Sequence, residues 1–85
     1  MRGKLHSIHP GETLAEVMQD RGLSVWDVAL AGDLDASFIS GVLNGSNSIS
    51  RDLSTGLERA ISIPREFWMN LERNYEAELE EERAE

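Results

Sequence analysis

The chain has 85 residues, enough for one compact domain and too few for two independent cores. It carries no cysteine, which excludes a disulfide framework and thiolate metal sites, while 40% hydrophobic residues allow a modest core. Sixteen acidic residues against eight basic ones give a net charge of −8, the opposite of the basic footprint usual in nucleic-acid binders. Seven of the acids, with only two bases, lie from Glu72 to Glu85. No apolar run approaches the roughly 18–20 residues of a membrane span, and no signal-peptide core opens the chain. The expectation is a soluble, cytoplasmic protein.

Residues 1–8 read as a polar N-terminal arm bearing Arg2 and Lys4. His9-Pro10-Gly11-Glu12 opens the first helix, Pro10 to Arg21, because proline is tolerated at the first helical position and Glu12 meets the positive end of the dipole. Leu14, Val17 and Met18 form its apolar face, and Gly22 stops it. Ser24 caps a second helix, Val25 to about Ala31, broken by Gly32-Asp33 before Leu34 plugs the core. Asp35 caps a third, Ala36 to Leu43, burying Ile39, Val42 and Leu43 and stopped by Asn44-Gly45. Ser50 caps a fourth, Arg51 to about Ile61, with Leu53, Leu57, Ala60 and Ile61 inward. Pro64 opens a fifth, in which Phe67, Leu71, Tyr75 and Leu79 recur every four residues and predict the core-facing stripe. No segment alternates with period two, so no strand is expected.

The fold class expected is therefore all-α: a five-helix domain with a helix-turn-helix and an extended C-terminal helix. The helix-turn-helix domain spans residues 9–75, and residues 76–85 form an acidic helix end or tail. Small Ala29 faces the turn, where the third helix crosses close to the second.

Three stretches carry a resemblance. Ile8-His9-Pro10-Gly11-Glu12-Thr13-Leu14 opens the chain's ordered pattern, and Leu23-Ser24 with Ile39-Ser40-Gly41-Val42-Leu43-Asn44-Gly45 frames the helix-turn-helix. Phe67-Trp68-Met69-Asn70-Leu71-Glu72-Arg73-Asn74-Tyr75 closes it, and this last motif is the specific one. Over roughly Ile8 to Tyr75 the sequence resembles the HigA-type antitoxins, Xre-like relatives of phage repressors. The resemblance implies a homodimeric antitoxin of a HigBA-like toxin-antitoxin module. Such a protein neutralises an mRNA-cleaving toxin by direct binding and autoregulates its operon through sequence-specific DNA binding. Two positions depart from the wider superfamily, which commonly has glutamine at Val25 and a long polar residue at Phe38.

A third helix entering a major groove would turn Ala36, Ser37, Ser40 and Gly41 toward base edges, none of them long enough for the bidentate contact worth about 1–3 kcal/mol per base. Between Gly22 and Ser50 there is no lysine or arginine, against Asp27, Asp33 and Asp35. Phosphate contacts then fall to Asn44, Ser46, Asn47, Ser48, Arg51 and backbone amides at helix starts. Two readings stand here, a weak shape-reading DNA surface and a scaffold that no longer meets DNA. Phe38 either folds against the second helix or joins Val25 and Trp26 in a patch for a protein partner. Core packing of a terminal helix explains Trp68 and Tyr75 as well as an interface does, but Trp68, about 100° round the helix from Phe67, is expected to be left over for a second subunit, and Trp68, Leu71 and Tyr75 are assigned to a dimer or toxin interface.

His6, His9 and Glu12 are spaced for a metal, but His6 lies in the arm and His9 belongs to the helix start, so no metal is assigned. Neither a catalytic constellation nor a cofactor site is recognised, and the chain is not expected to be an enzyme. The acidic tail is either a solvated helix end or a segment that steers a basic toxin. The alternatives to an antitoxin are a phage or plasmid Xre-type regulator without a toxin, and a protein-interaction domain whose helix-turn-helix no longer binds DNA.

Overall fold

A computed structural model of the chain describes residues 8–84. It contains five helices, α1 (Pro10–Arg21), α2 (Val25–Gly32), α3 (Ala36–Leu43), α4 (Arg51–Ile61) and α5 (Arg65–Ala84), and no strand among the described residues. Of the arm expected over residues 1–8, only the exposed Ile8 is described; Arg2, Lys4 and His6 lie outside the described residues.

Local chemistry explains the boundaries. His9 is the N-cap of α1, its Nδ1 accepting the Gly11 N–H at 2.9 Å, and its ring meets the edge of Tyr75 with centroids 4.9 Å apart. Gly22 ends α1 in the left-handed region, φ 67°, where a side chain would be strained. Ser24 and Asp27 form a reciprocal capping box on α2, each side chain taking the other's backbone N–H. That helix runs one residue past the expected end, to Gly32, and Asp33 rather than glycine takes the left-handed cap at φ 56°. Ser50 caps α4 through the Leu53 N–H, and Ser62 closes it at φ 65°.

Leu14, Met18, Val28, Ile39, Val42, Ile49, Leu53, Leu57, Ile61 and Trp68 form one core. The α2–α4 crossing is so close that a Cβ on Gly32 would lie 2.6 Å from the Gly56 carbonyl oxygen. Two arginines satisfy helix C-termini: Arg21 donates to the Ile61 carbonyl, and Arg59 donates to Gly32 O at 3.1 Å.

The expectation for α5 needs correction. Trp68 is fully buried and is the largest residue of the core, so it is not available to a second subunit; Phe67, expected inward, is 42% exposed. The buried face runs Trp68, Leu71, Glu72 and Tyr75, the i, i+3, i+4, i+7 stripe, with Leu71 and Tyr75 half-buried and Glu72 buried. Phe67 remains edge-on to Trp68, with centroids 5.1 Å apart.

Candidate nucleic-acid and partner interfaces

The turn between α2 and α3 presents α3 with Ser37 and Ser40 exposed and Ala36 half-buried against the core. Gly41 departs from expectation: it is buried, and a Cβ there would lie 2.1 Å from Asn47 Nδ2, so the Asn47 side chain covers the position meant to face a base. Asn47 itself is turned inward, its Nδ2 donating to Phe38 O at 3.3 Å and its N–H to Gly41 O at 3.1 Å. Asn44, Ser46 and Ser48 are exposed, with Asn44 Oδ1 accepting the Ser46 N–H at 3.0 Å.

Asp35 controls the start of α3. Its Oδ1 accepts both the Ser37 hydroxyl at 2.7 Å and the Ser37 N–H at 2.9 Å, and these bonds, the hydroxyl's foremost, hold its carboxyl below the ordinary carboxylate range. Asp27 is held low in the same way, chiefly by the Ser24 N–H and then by the Ser24 side chain. Both helix starts on this side are thus already supplied with a carboxylate. Arg51 is the first cation after them. It is exposed at the start of α4 and is the one arginine with no side-chain hydrogen bond or ion pair among the described residues.

Sequence reasoning missed two features. Leu30 is 87% exposed beside Trp26 at 74%, and with Ala29, Asp33, Leu34 and Ala36 they border a shallow hollow; Phe38 does not line it, and Val25 packs against the core. The spacing of Trp26 and Leu30, i and i+4, was the available signal. The second is Glu72, a carboxylate in the α5 slot where an apolar residue belongs, accepting the Ile49 N–H at 2.9 Å. Glu76 lies one turn on. Its carboxyl is pushed above the ordinary glutamate value by the facing Glu72, to which its protonated form hydrogen-bonds and whose charge repels its own. No group of metal-binding side chains occurs among the described residues, and no described helix is long and apolar enough to cross a membrane.

Neither a protein-family model nor a curated protein matches the sequence. Solved structures do. The chain is 30% identical to the Pseudomonas aeruginosa antitoxin HigA solved with the higBA promoter, covering 85% of this chain and 79% of that one at a TM-score of 0.78. A HigA-family addiction module antidote protein from Coxiella burnetii is 29% identical over 88% of this chain and 83% of its own, also at 0.78. The antitoxin GraA is 26% identical over 94% and 87%, with a TM-score of 0.86. With this agreement in fold, length and sequence, the chain belongs to the HigA-type antitoxins of the helix-turn-helix superfamily.

Proposed function

We propose that the chain neutralises an mRNA-cleaving toxin by direct binding and, as a homodimer, represses its own operon by binding operator DNA. The observation that carries the DNA half is the α2–turn–α3 unit with Ser37 and Ser40 outward, followed by the exposed Arg51 at the start of α4, in a fold shared with an antitoxin solved with its promoter. Ser40, Asn44 and Ser46 supply short polar contacts and Ala36 a methyl at the flank, while Arg51 supplies charge. Ser37 meets DNA as an acceptor, since its hydroxyl proton is directed at Asp35. Such a surface reads groove shape more than base identity, and its acidic caps keep affinity modest.

The toxin half rests on family membership and on charge. Glu76, Glu78, Glu80, Glu81 and Glu82 against Arg83 make residues 76–84 of α5 complementary to a basic RNA-cleaving protein. Half-buried Leu71 and Tyr75 keep an edge for a partner subunit or the toxin.

The test has two arms. A promoter fragment titrated with the purified chain should bind with steep salt dependence; a curve unchanged between low and moderate salt would refute the DNA half. Co-expression with the adjoining reading frame should rescue growth and yield a co-purifying complex. Promoter binding without rescue would leave an Xre-type regulator that has no toxin.

A further inference from the structure

Between the first turn of α4 and the first half of α5 lies an open groove of about 670 Å³ whose walls include Ile49, Arg51, Met69, Glu72 and Glu76. Glu72 is only 5% exposed. One carboxylate oxygen, Oε1, accepts the Ile49 N–H, while Oε2 has no hydrogen-bond partner among the described residues when Glu76 is ionised. A buried carboxylate oxygen left unpaired is costly, and folded proteins rarely keep one without a reason.

The groove's own arginines do not answer it. Arg65 pairs with Glu66 at 3.6 Å, Arg73 donates to Asn70 Oδ1 at 2.8 Å, and Arg51 makes no ion pair among the described residues. Glu76 adds a second carboxyl against the first, so this end of the groove calls for a cationic donor from outside. A second copy is a poor source, since it brings the same net charge of −8. A basic protein is attracted by the same field and guided along the glutamates of the following turns.

We propose that this end of the groove is the docking pocket for one basic side chain, an arginine or lysine, of the toxin; the inference rests on the antitoxin reading above. A guanidinium there would meet exposed Glu76 first and bond Glu72 Oε2 once a small shift of the Glu72 side chain uncovers that buried oxygen, a geometry that a planar fork satisfies better than an ammonium. Arg65, seven residues before Glu72 on α5, and Arg51 on the facing wall limit the pocket to a single inserted cation.

The experiment measures the affinity of the full chain for the toxin encoded beside it, by calorimetry, in wild type, Glu72→Gln and Glu76→Lys. Glu72→Gln keeps an acceptor for the Ile49 N–H. Glu76→Lys alters an exposed rim position and keeps the test decisive if the buried variant folds poorly. Each variant should weaken the complex at least about tenfold, with promoter affinity held and the thermal midpoint no lower than that of the wild type. Wild-type toxin binding that both variants leave unchanged overturns the pocket and leaves the antitoxin reading standing. Dissociation of a homodimer in place of toxin loss assigns the groove to a second copy and also overturns it. Absence of toxin binding by the wild type removes the antitoxin reading, and the pocket with it.

Discussion

The stretch from α2 to the start of α4 and the terminal helix α5 are both acidic, yet their carboxylates do different work. Asp27 and Asp35 accept backbone N–H groups at helix starts, so their charge is consumed locally and their carboxyls stay low. Glu72 and Glu76 are set against each other, one with an unanswered buried oxygen and the other with its carboxyl pushed up. Net charge alone makes both regions unfriendly to a polyanion. The pairing of each carboxylate shows instead that one region is a closed, modestly polar surface and the other is open to a cation.

The largest effect should come from Trp68→Ala. Removing the biggest core residue should cost about 3–5 kcal/mol in denaturant unfolding. If Trp68 instead sealed a dimer, the variant would dissociate while keeping its fold, and the distinction between core and surface on α5 would fail.

Arg51→Ala tests the other region. It should weaken promoter binding across all sequences and reduce the slope of log affinity against log salt by about 1. An unchanged slope would mean that Arg51 serves only the groove. Ser62 joins the two regions and holds a left-handed backbone. Ser62→Gly should raise stability by about 1 kcal/mol, read as a higher denaturation midpoint.

The smallest effects are in pH, and their signs oppose each other. Asp35 and Asp27 have folded values below the ordinary 3.8, so their contribution is present above that value and lost as pH falls through the lowered one. Glu76 has a folded value above the ordinary 4.5, so it costs stability above its raised value, and the cost is gone once pH falls below the ordinary one. Glu76→Gln should therefore be slightly more stable than wild type at neutral pH, with the gap closing in acid. Asp35→Asn, which keeps the cap but not the charge, should be slightly less stable at neutral pH, its gap also closing in acid. Midpoints measured across the acid range would show whether the two move oppositely.

Much of the fold was legible because helix ends are local. His9-Pro10, Ser24, Asp35 and Ser50 each satisfy an N–H within three residues, and Gly22 needs only its own backbone. The buried face of α5 was not legible, because a period-four count favours Phe67, Leu71, Tyr75 and Leu79. The true face begins one residue later, and its next turn holds Glu72, so the apolar signal that would have flagged Trp68 is missing where a polar anchor for Ile49 stands. Gly41 was misread for a related reason: the side chain that covers it comes from a loop six residues on.

The most direct test of the division between the two regions is amide hydrogen exchange of the chain with promoter DNA alone and with toxin alone. DNA should protect residues 36–48 and the start of α4, and toxin should protect α5 together with the Ile49 amide. Toxin protection confined to residues 36–48, with α5 exchanging as in the free chain, would contradict the account.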